Sequence, residues 1–325
     1  MRALIHSTFG EAEDVLTPEE RPIPAPGPGQ VRLRVVLSPI HNHDLWTIRG
    51  TYGFRPELPA ASGTEALGIV DAVGDGVDHL RVGQRVATGG SFGAWAEYIV
   101  TGAAGLIPVP DSLSDETAAQ LVSMPFSAIS LLHFLDVRPG DWIIQNAANG
   151  AVGRMLAQLG AVRGVNVIGL VRRSAGVDEL RTQGIDHVVA TDDADWRGAV
   201  TRLTGGAPIL AGVDSVGGSS AGEVLSLLAE NGTLVVFGAM KAPTMEISSS
   251  DVIFKQATVK GFWGSRIIQQ LDPQVRSELF SELIQRVSDG TLTLPVAGVF
   301  DAADVADAVR MSKTAGRVGK VLLRF

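Results

Sequence analysis

His41-Asn42-His43-Asp44 puts two imidazoles and a carboxylate into four positions, and Tyr52 follows at the end of the same stretch. Histidines beside an acid are the start of a divalent-metal site. A phenol offers metal-free chemistry instead, because its O–H can donate to a developing oxyanion or deliver a proton. The chain has no cysteine. It therefore has no thiolate nucleophile, no disulfide and no cysteine-ligated zinc. Any metal would fall to the six histidines and the carboxylates.

A second concentration of chemistry begins at Asp141-Trp142-Ile143-Ile144-Gln145-Asn146-Ala147. This strand-like apolar run leads into Ala148-Asn149-Gly150-Ala151-Val152-Gly153, and a helix-like apolar stretch comes next. The pattern is the glycine-rich dinucleotide turn with alanine in its first place. Gly150 would let backbone approach a pyrophosphate, Gly153 would let the helix pack close to the sheet, and the helix N-terminus attracts phosphate charge. The next apolar run ends at Arg172-Arg173. That lies about 20 residues past the turn, where an NAD-specific fold carries an acid for the ribose hydroxyl. Two guanidinium groups suit a 2′-phosphate, so the expected cofactor is NADPH.

The elements that must hold these residues can be read in outline. Val31, Leu33 and Val35 alternate with Arg32 and Arg34, the period of a half-buried strand. Glycine punctuates residues 68–93, as expected of a small curved β-domain. Ser114, followed by Asp115 and Glu116, predicts an N-cap opening an Ala/Leu-rich helix. From 141 to 240, short apolar runs alternate with helix-like segments, the rhythm of a parallel sheet. A polar helix around residues 277–290, an Asp/Ala-rich helix and a closing strand Gly319–Phe325 end the chain.

At 325 residues two domains are expected. Acids outnumber Lys and Arg by 35 to 27. That balance excludes the basic footprint of a nucleic-acid or anionic-membrane binder. No signal peptide or spanning run is visible, and a cytoplasmic protein is expected.

The chain resembles the medium-chain dehydrogenase/reductase superfamily along essentially its whole length. Gly50-Thr51-Tyr52, Leu58-Pro59, Gly63-Thr64-Glu65-Ala66 and Gly93-Ala94-Trp95-Ala96-Glu97-Tyr98 are similar to the zinc-free quinone oxidoreductases. Gln145-Asn146-Ala147, Ser215-Val216-Gly217-Gly218, Phe237-Gly238-Ala239-Met240, Ile253-Phe254-Lys255 and Gly261-Phe262-Trp263 look like mitochondrial-type 2-enoyl thioester reductases. The resemblance implies an α/β protein: a doubly wound Rossmann sheet over residues 118–264 and a GroES-like β-rich catalytic domain from 1–117 and 265–325. It also implies a substrate cleft and a homodimer.

In zinc alcohol dehydrogenases of the superfamily, the metal takes two cysteines and a Gly-His-Glu histidine. Here His41 stands at the first place, Thr64 replaces the histidine, and Ser123-Met124-Pro125-Phe126-Ser127 supplies only hydroxyls at the third. No metal is expected. The resemblance gives Tyr52 the catalytic role, with His43 as a second proton carrier in the place of the zinc enzymes' relay hydroxyl. It gives His41 and Trp263 to the substrate. Ser127, Phe237, Gly238, Met240 and Phe262 join residues 149–153 and the two arginines at the cofactor. Both resembled families usually carry asparagine where this chain has His41. The expected reaction is NADPH-dependent hydride addition to the β-carbon of a 2-enoyl thioester or enone. Quinone reduction is the alternative, carbonyl or alcohol redox a further one, and an NADPH-binding crystallin-like protein the non-enzymatic rival.

Overall fold

The computed structural model describes all 325 residues, which form two compact units: Met1–Ser123 with Thr293–Phe325, and Met124–Leu292. No helix is long and apolar enough to cross a membrane.

Strand Gln30–Pro39 is the hub of the first unit. One edge pairs antiparallel with Glu65–Val73. The other edge is shared: residues 30–34 pair with Tyr98–Gly102, and residues 37–39 with Lys320–Arg324. Val31, Leu33 and Val35 are buried, whereas Arg34 is exposed and Arg32 bonds Asp71 at 2.6 Å. Burial of each such apolar side chain stabilises the sheet by roughly 1.5–3 kcal/mol, which fixes the register. A smaller sheet places Arg2–His6 between Leu16–Glu20 and Ala60–Ala61.

The second unit is built on six parallel strands. Across the sheet they run Val188–Ala190, Asn166–Val171, Trp142–Gln145, Ile209–Asp214, Thr233–Val236 and Thr258–Gly261. In chain order that is third, second, first, fourth, fifth, sixth. The order reverses between Trp142–Gln145 and Ile209–Asp214, and such a reversal opens a crevice at the strands' carboxyl ends. This is the Rossmann arrangement expected from the sequence, and the β-rich first unit matches the expected class as well.

Two details differ from the sequence reading. The second unit runs Met124–Leu292 rather than 118–264, so residues 118–123 belong to the first unit and residues 265–292 to the second. Helix Pro273–Ser288 explains this: Phe280 stacks on Phe126 with ring centroids 3.8 Å apart, and Glu282 pairs with Arg163 at 2.7 Å. The helix capped by Ser114 is also brief. Ser114 Oγ accepts from Thr117 N as expected, but the helix covers only Asp115–Ala118, and a separate helix starts at Ser123. Pro125 is the reason, since within a continuing helix its ring would strike the carbonyl four residues earlier.

Candidate functional site

In the first unit the site grows from one helix end. Strand Gln30–Pro39 delivers the chain to His41, the N-cap of helix Asn42–Arg49. Asp44 in the first turn accepts from the His41 backbone N–H at 2.9 Å, satisfying one of the orphan donors of a helix start. Leu45 and Ile48 pin the helix into the cluster of Trp95, Val321 and Leu323. Gly50 ends it in the left-handed region, where the backbone N–H groups of Gly50, Thr51 and Tyr52 turn back onto the last carbonyls. Both ends of the stretch are therefore fixed by backbone bonds.

The structure brings His41, His43 and Tyr52 together. The His41 and His43 rings stack 4.9 Å apart, and the Tyr52 ring lies 5.9 Å from His43. His43 Nε2 sits 2.7 Å from Thr64 Oγ1, and Thr64 Oγ1 donates to Asp44 Oδ1 at 2.7 Å. A hydroxyl has one proton, and Thr64 gives it to the carboxylate. His43 must therefore donate through Nε2, which leaves Nδ1 as the lone-pair nitrogen of the neutral ring.

Behind this chain lies a buried cluster of titratable groups. Glu65 Oε2 is 2.7 Å from His41 Nε2, while Glu65 Oε1 accepts from the backbone N–H of Val122 and Ser123 at 2.6 and 2.8 Å. Burial pushes the Glu65 carboxyl up to about 7, against the pull of those two donors. Burial, with the positive charge of Lys320 nearby, holds His41 well below the usual imidazole range. Burial also lowers Lys320 to about 8. Lys320 arrives on the last strand, which pairs with the strand that delivers His41.

In the second unit Gly150 caps the exposed start of helix Ala151–Val162. A Cβ on Gly153 would meet the Ala147 oxygen and the Ala148 Cα at 2.8 Å, so only glycine lets the helix approach this closely. The helix's one charged residue, Arg154, is buried. It donates to the Asn149 carbonyl at 2.9 Å, to Gln183 Oε1, and to Glu179, which locks the turn from behind. Arg172 and Arg173 directly follow the adjacent parallel strand, exposed and outside any ion pair. Exposed first-turn N–H groups for a pyrophosphate and two unpaired guanidinium groups for a 2′-phosphate form a donor set that fits NADPH.

The remaining predicted contacts gather at the other side of the reversal. Buried Asp214 accepts from Asn146 Nδ2 at 2.5 Å and from the backbone of Val216 and Gly217. The Asp214 carbonyl accepts from the N–H groups of Phe237 and Gly238 at 2.7 and 3.2 Å. One aspartate thus ties three of the loops read from the sequence. The Phe237 and Phe262 rings are 5.8 Å apart, and Gly264, directly after Trp263, packs against Ser127. Met240 and Trp263 are exposed.

Comparison with known proteins agrees with this geometry. Residues 27–111 match the alcohol dehydrogenase GroES-like domain, and residues 151–288 match the zinc-binding dehydrogenase domain. The mitochondrial enoyl-[acyl-carrier-protein] reductase of Bos taurus is 32% identical over 318 residues, 96% of this chain and 85% of that protein. The chain belongs to the medium-chain dehydrogenase/reductase superfamily, in its branch of quinone and enoyl reductases. Two solved structures of this superfamily cover the whole chain. A Bacillus thuringiensis protein assigned as an NADPH:quinone reductase superposes with a TM-score of 0.92 at 30% identity, with 98% of its length covered. A mycobacterial protein solved with NADPH superposes with a TM-score of 0.89 at 28% identity, with 100% of its length covered.

The zinc of other superfamily members does not fit these residues. No group of three or more His, Cys, Asp or Glu side chains is arranged to hold a metal ion. Sequence reading had missed the Asp44–Thr64 link, Lys320, Arg154 and Asp214. Only Arg154 left a local signal, as the lone charge in an apolar helix.

Proposed function

We propose that this chain is an NADPH-dependent reductase of activated C=C bonds, acting on 2-enoyl thioesters or enones, with Tyr52 as the proton donor. The carrying observation is the chain of contacts Tyr52, His43, Thr64, Asp44 in a protein of this family. NADPH, when bound, supplies the hydride. Gly150, Ala151, Val152 and Gly153 would hold its pyrophosphate, with Asn149 at the mouth of the turn, and Arg172 and Arg173 its 2′-phosphate. Ser127, Phe237, Gly238, Met240 and Phe262 would position the nicotinamide half, and Trp263 would border the substrate; His41, expected there from the sequence, is instead fully buried between the His43 ring and Glu65.

Hydride addition at the β-carbon sends negative charge to the carbonyl oxygen, and the α-carbon then needs a proton. A phenol meets both needs, donating to the oxygen as charge grows and then giving up its proton. His43 can return that proton, its ring held in place by the link through Thr64 to Asp44. Quinone reduction is the second reading, favoured by the NADPH:quinone reductase likeness. The proposal includes a homodimer: strand Thr258–Gly261 is a sheet edge with exposed Ile253 and Phe254 beside it. The location proposed is the cytoplasm, with cell fractionation as its check against the mitochondrial placement of the bovine relative.

The test is kcat for crotonyl thioester and for a quinone, in wild type and Tyr52→Phe, with NADPH affinity measured separately. Thioester turnover should fall about 10²–10³-fold, the usual cost of one oxyanion donor, and quinone turnover less. A fall below threefold, with His43→Ala abolishing turnover, would give the proton to the histidine.

A further inference from the structure

The first unit holds a cavity of about 280 Å³ to which the chemistry above assigns no occupant. Its lining is mainly apolar, from Ile48, Phe54, Pro56, Ala61 and Phe92, with His6 as its one imidazole. His6 is 1% exposed; its Nδ1 lies 3.1 Å from Ser62 Oγ, the Ala60 backbone also attracts the ring, and its Nε2 makes no hydrogen bond of normal geometry. Buried polar atoms are nearly always paired, so this nitrogen calls for a ligand atom. Burial pushes the imidazole below its ordinary value, which keeps the ring neutral near pH 7. A neutral ring nitrogen takes one hydrogen bond, as donor or acceptor according to tautomer. A hydroxyl answers either case.

Phe54 and Phe92 are 41% and 54% exposed, with ring centroids 4.5 Å apart. Both would gain from an apolar cover. Asp44 and Thr64 also line the cavity, so its occupant rests against the pair that steadies His43. At about 30 Å³ per heavy atom, near the volume of a water in the liquid, the space holds about nine heavy atoms.

We propose that this cavity is a substrate subsite for a single apolar ring bearing a hydroxyl, with His6 Nε2 as its hydrogen-bond partner and Phe54 and Phe92 as its cover. The word substrate rests on the reductase reading; the binding of such a ring does not.

The probe is 4-ethylphenol, which has nine heavy atoms and no reducible bond, titrated calorimetrically into the NADPH-saturated protein. Ala61→Phe fills the cavity from an exposed strand position, and His6→Phe removes the nitrogen. The wild type should bind, and each variant should raise Kd at least tenfold. No binding by wild type, or equal affinity in Ala61→Phe, overturns the site. Turnover then separates the two readings. For an enone bearing a 4-hydroxyphenyl group, Ala61→Phe should lower kcat/KM at least tenfold, chiefly through KM. For methyl vinyl ketone it should stay within twofold. Equal effects on both enones overturn the substrate assignment. Weakened 4-ethylphenol binding in the variants, with no enone reduced by wild type, supports the ring site and overturns the reductase reading.

Discussion

Replacing His41 by asparagine should make the protein lose stability as the pH rises from 4.5 to about 7, by about 3 kcal/mol relative to wild type. In the unfolded chain near pH 5.5 the Glu65 carboxyl is ionised and the His41 imidazole is protonated, from ordinary values of 4.5 and 6.5. In the fold, burial leaves both neutral. The pair therefore holds the same number of protons in either state, and its contribution to stability is flat over this range. Removing one partner exposes the other's half. With His41 gone, Glu65 is a carboxyl whose folded pKa is raised. Its stabilising effect is complete below 4.5 and is lost as pH rises through about 7. At roughly 1.36 kcal/mol per pH unit, that interval gives the figure above. Glu65→Gln leaves a histidine whose folded pKa is depressed, so stability must instead rise with pH toward 6.5. Guanidinium unfolding of wild type and both variants at half-unit steps from pH 4.5 to 7.5 checks this. Slopes of the same sign in the two variants, relative to wild type, would refute the coupled neutral pair.

Changing Arg172 and Arg173 together to alanine should lower the NADPH-over-NADH preference in kcat/KM by at least tenfold, since each charge-assisted bond to a 2′-phosphate contributes roughly 1.5–3 kcal/mol. An unmoved ratio would assign the phosphate to other residues. Gly153→Ala puts a methyl 2.8 Å from the backbone of Ala147 and Ala148. It should weaken NADPH binding at least tenfold and lower Tm, both read by calorimetry; unchanged affinity would mean that the helix can move away at no cost. Thr64→Val keeps the side-chain shape but cuts the link from His43 to Asp44. It should lower kcat about 10–100-fold at unchanged NADPH affinity, less than the roughly 10²–10⁴-fold that losing a proton-transfer group outright costs, because His43 itself remains. A change below twofold would remove His43 from the proton path.

The Rossmann half was the more legible. Buried parallel strands are continuous apolar runs, and the glycine turn is local in sequence, so both could be read directly. Val188–Ala190 and Thr258–Gly261 were not read, the first being only three residues long and the second only partly apolar. The catalytic stretch was legible as residue types but not as contacts. His41, His43, Asp44 and Tyr52 sit within one helix and its caps, whereas Thr64 and Glu65 reach them from the start of another strand and Lys320 from the last one. No sequence period encodes such pairings. The end of the second unit at Leu292 was hidden for a similar reason, since the Phe126–Phe280 stack joins distant helices.

Strand Lys320–Arg324 closes the edge of strand Gln30–Pro39 next to His41. On the ribosome these partners are made far apart in time. At about 5–20 residues per second, tens of seconds separate Pro39 from Lys320. By the end of that interval the whole Rossmann segment has been synthesised, yet the first unit still lacks the strand that carries its lysine. Its central strand waits with one edge of residues 37–39 unpaired, an opening to which another nascent chain could add. A nascent chain stalled or cleaved shortly before residue 320 would therefore keep a complete set of nucleotide-binding loops beside an unfinished first unit. Chaperone demand in the cell should be concentrated on that species rather than on the released protein.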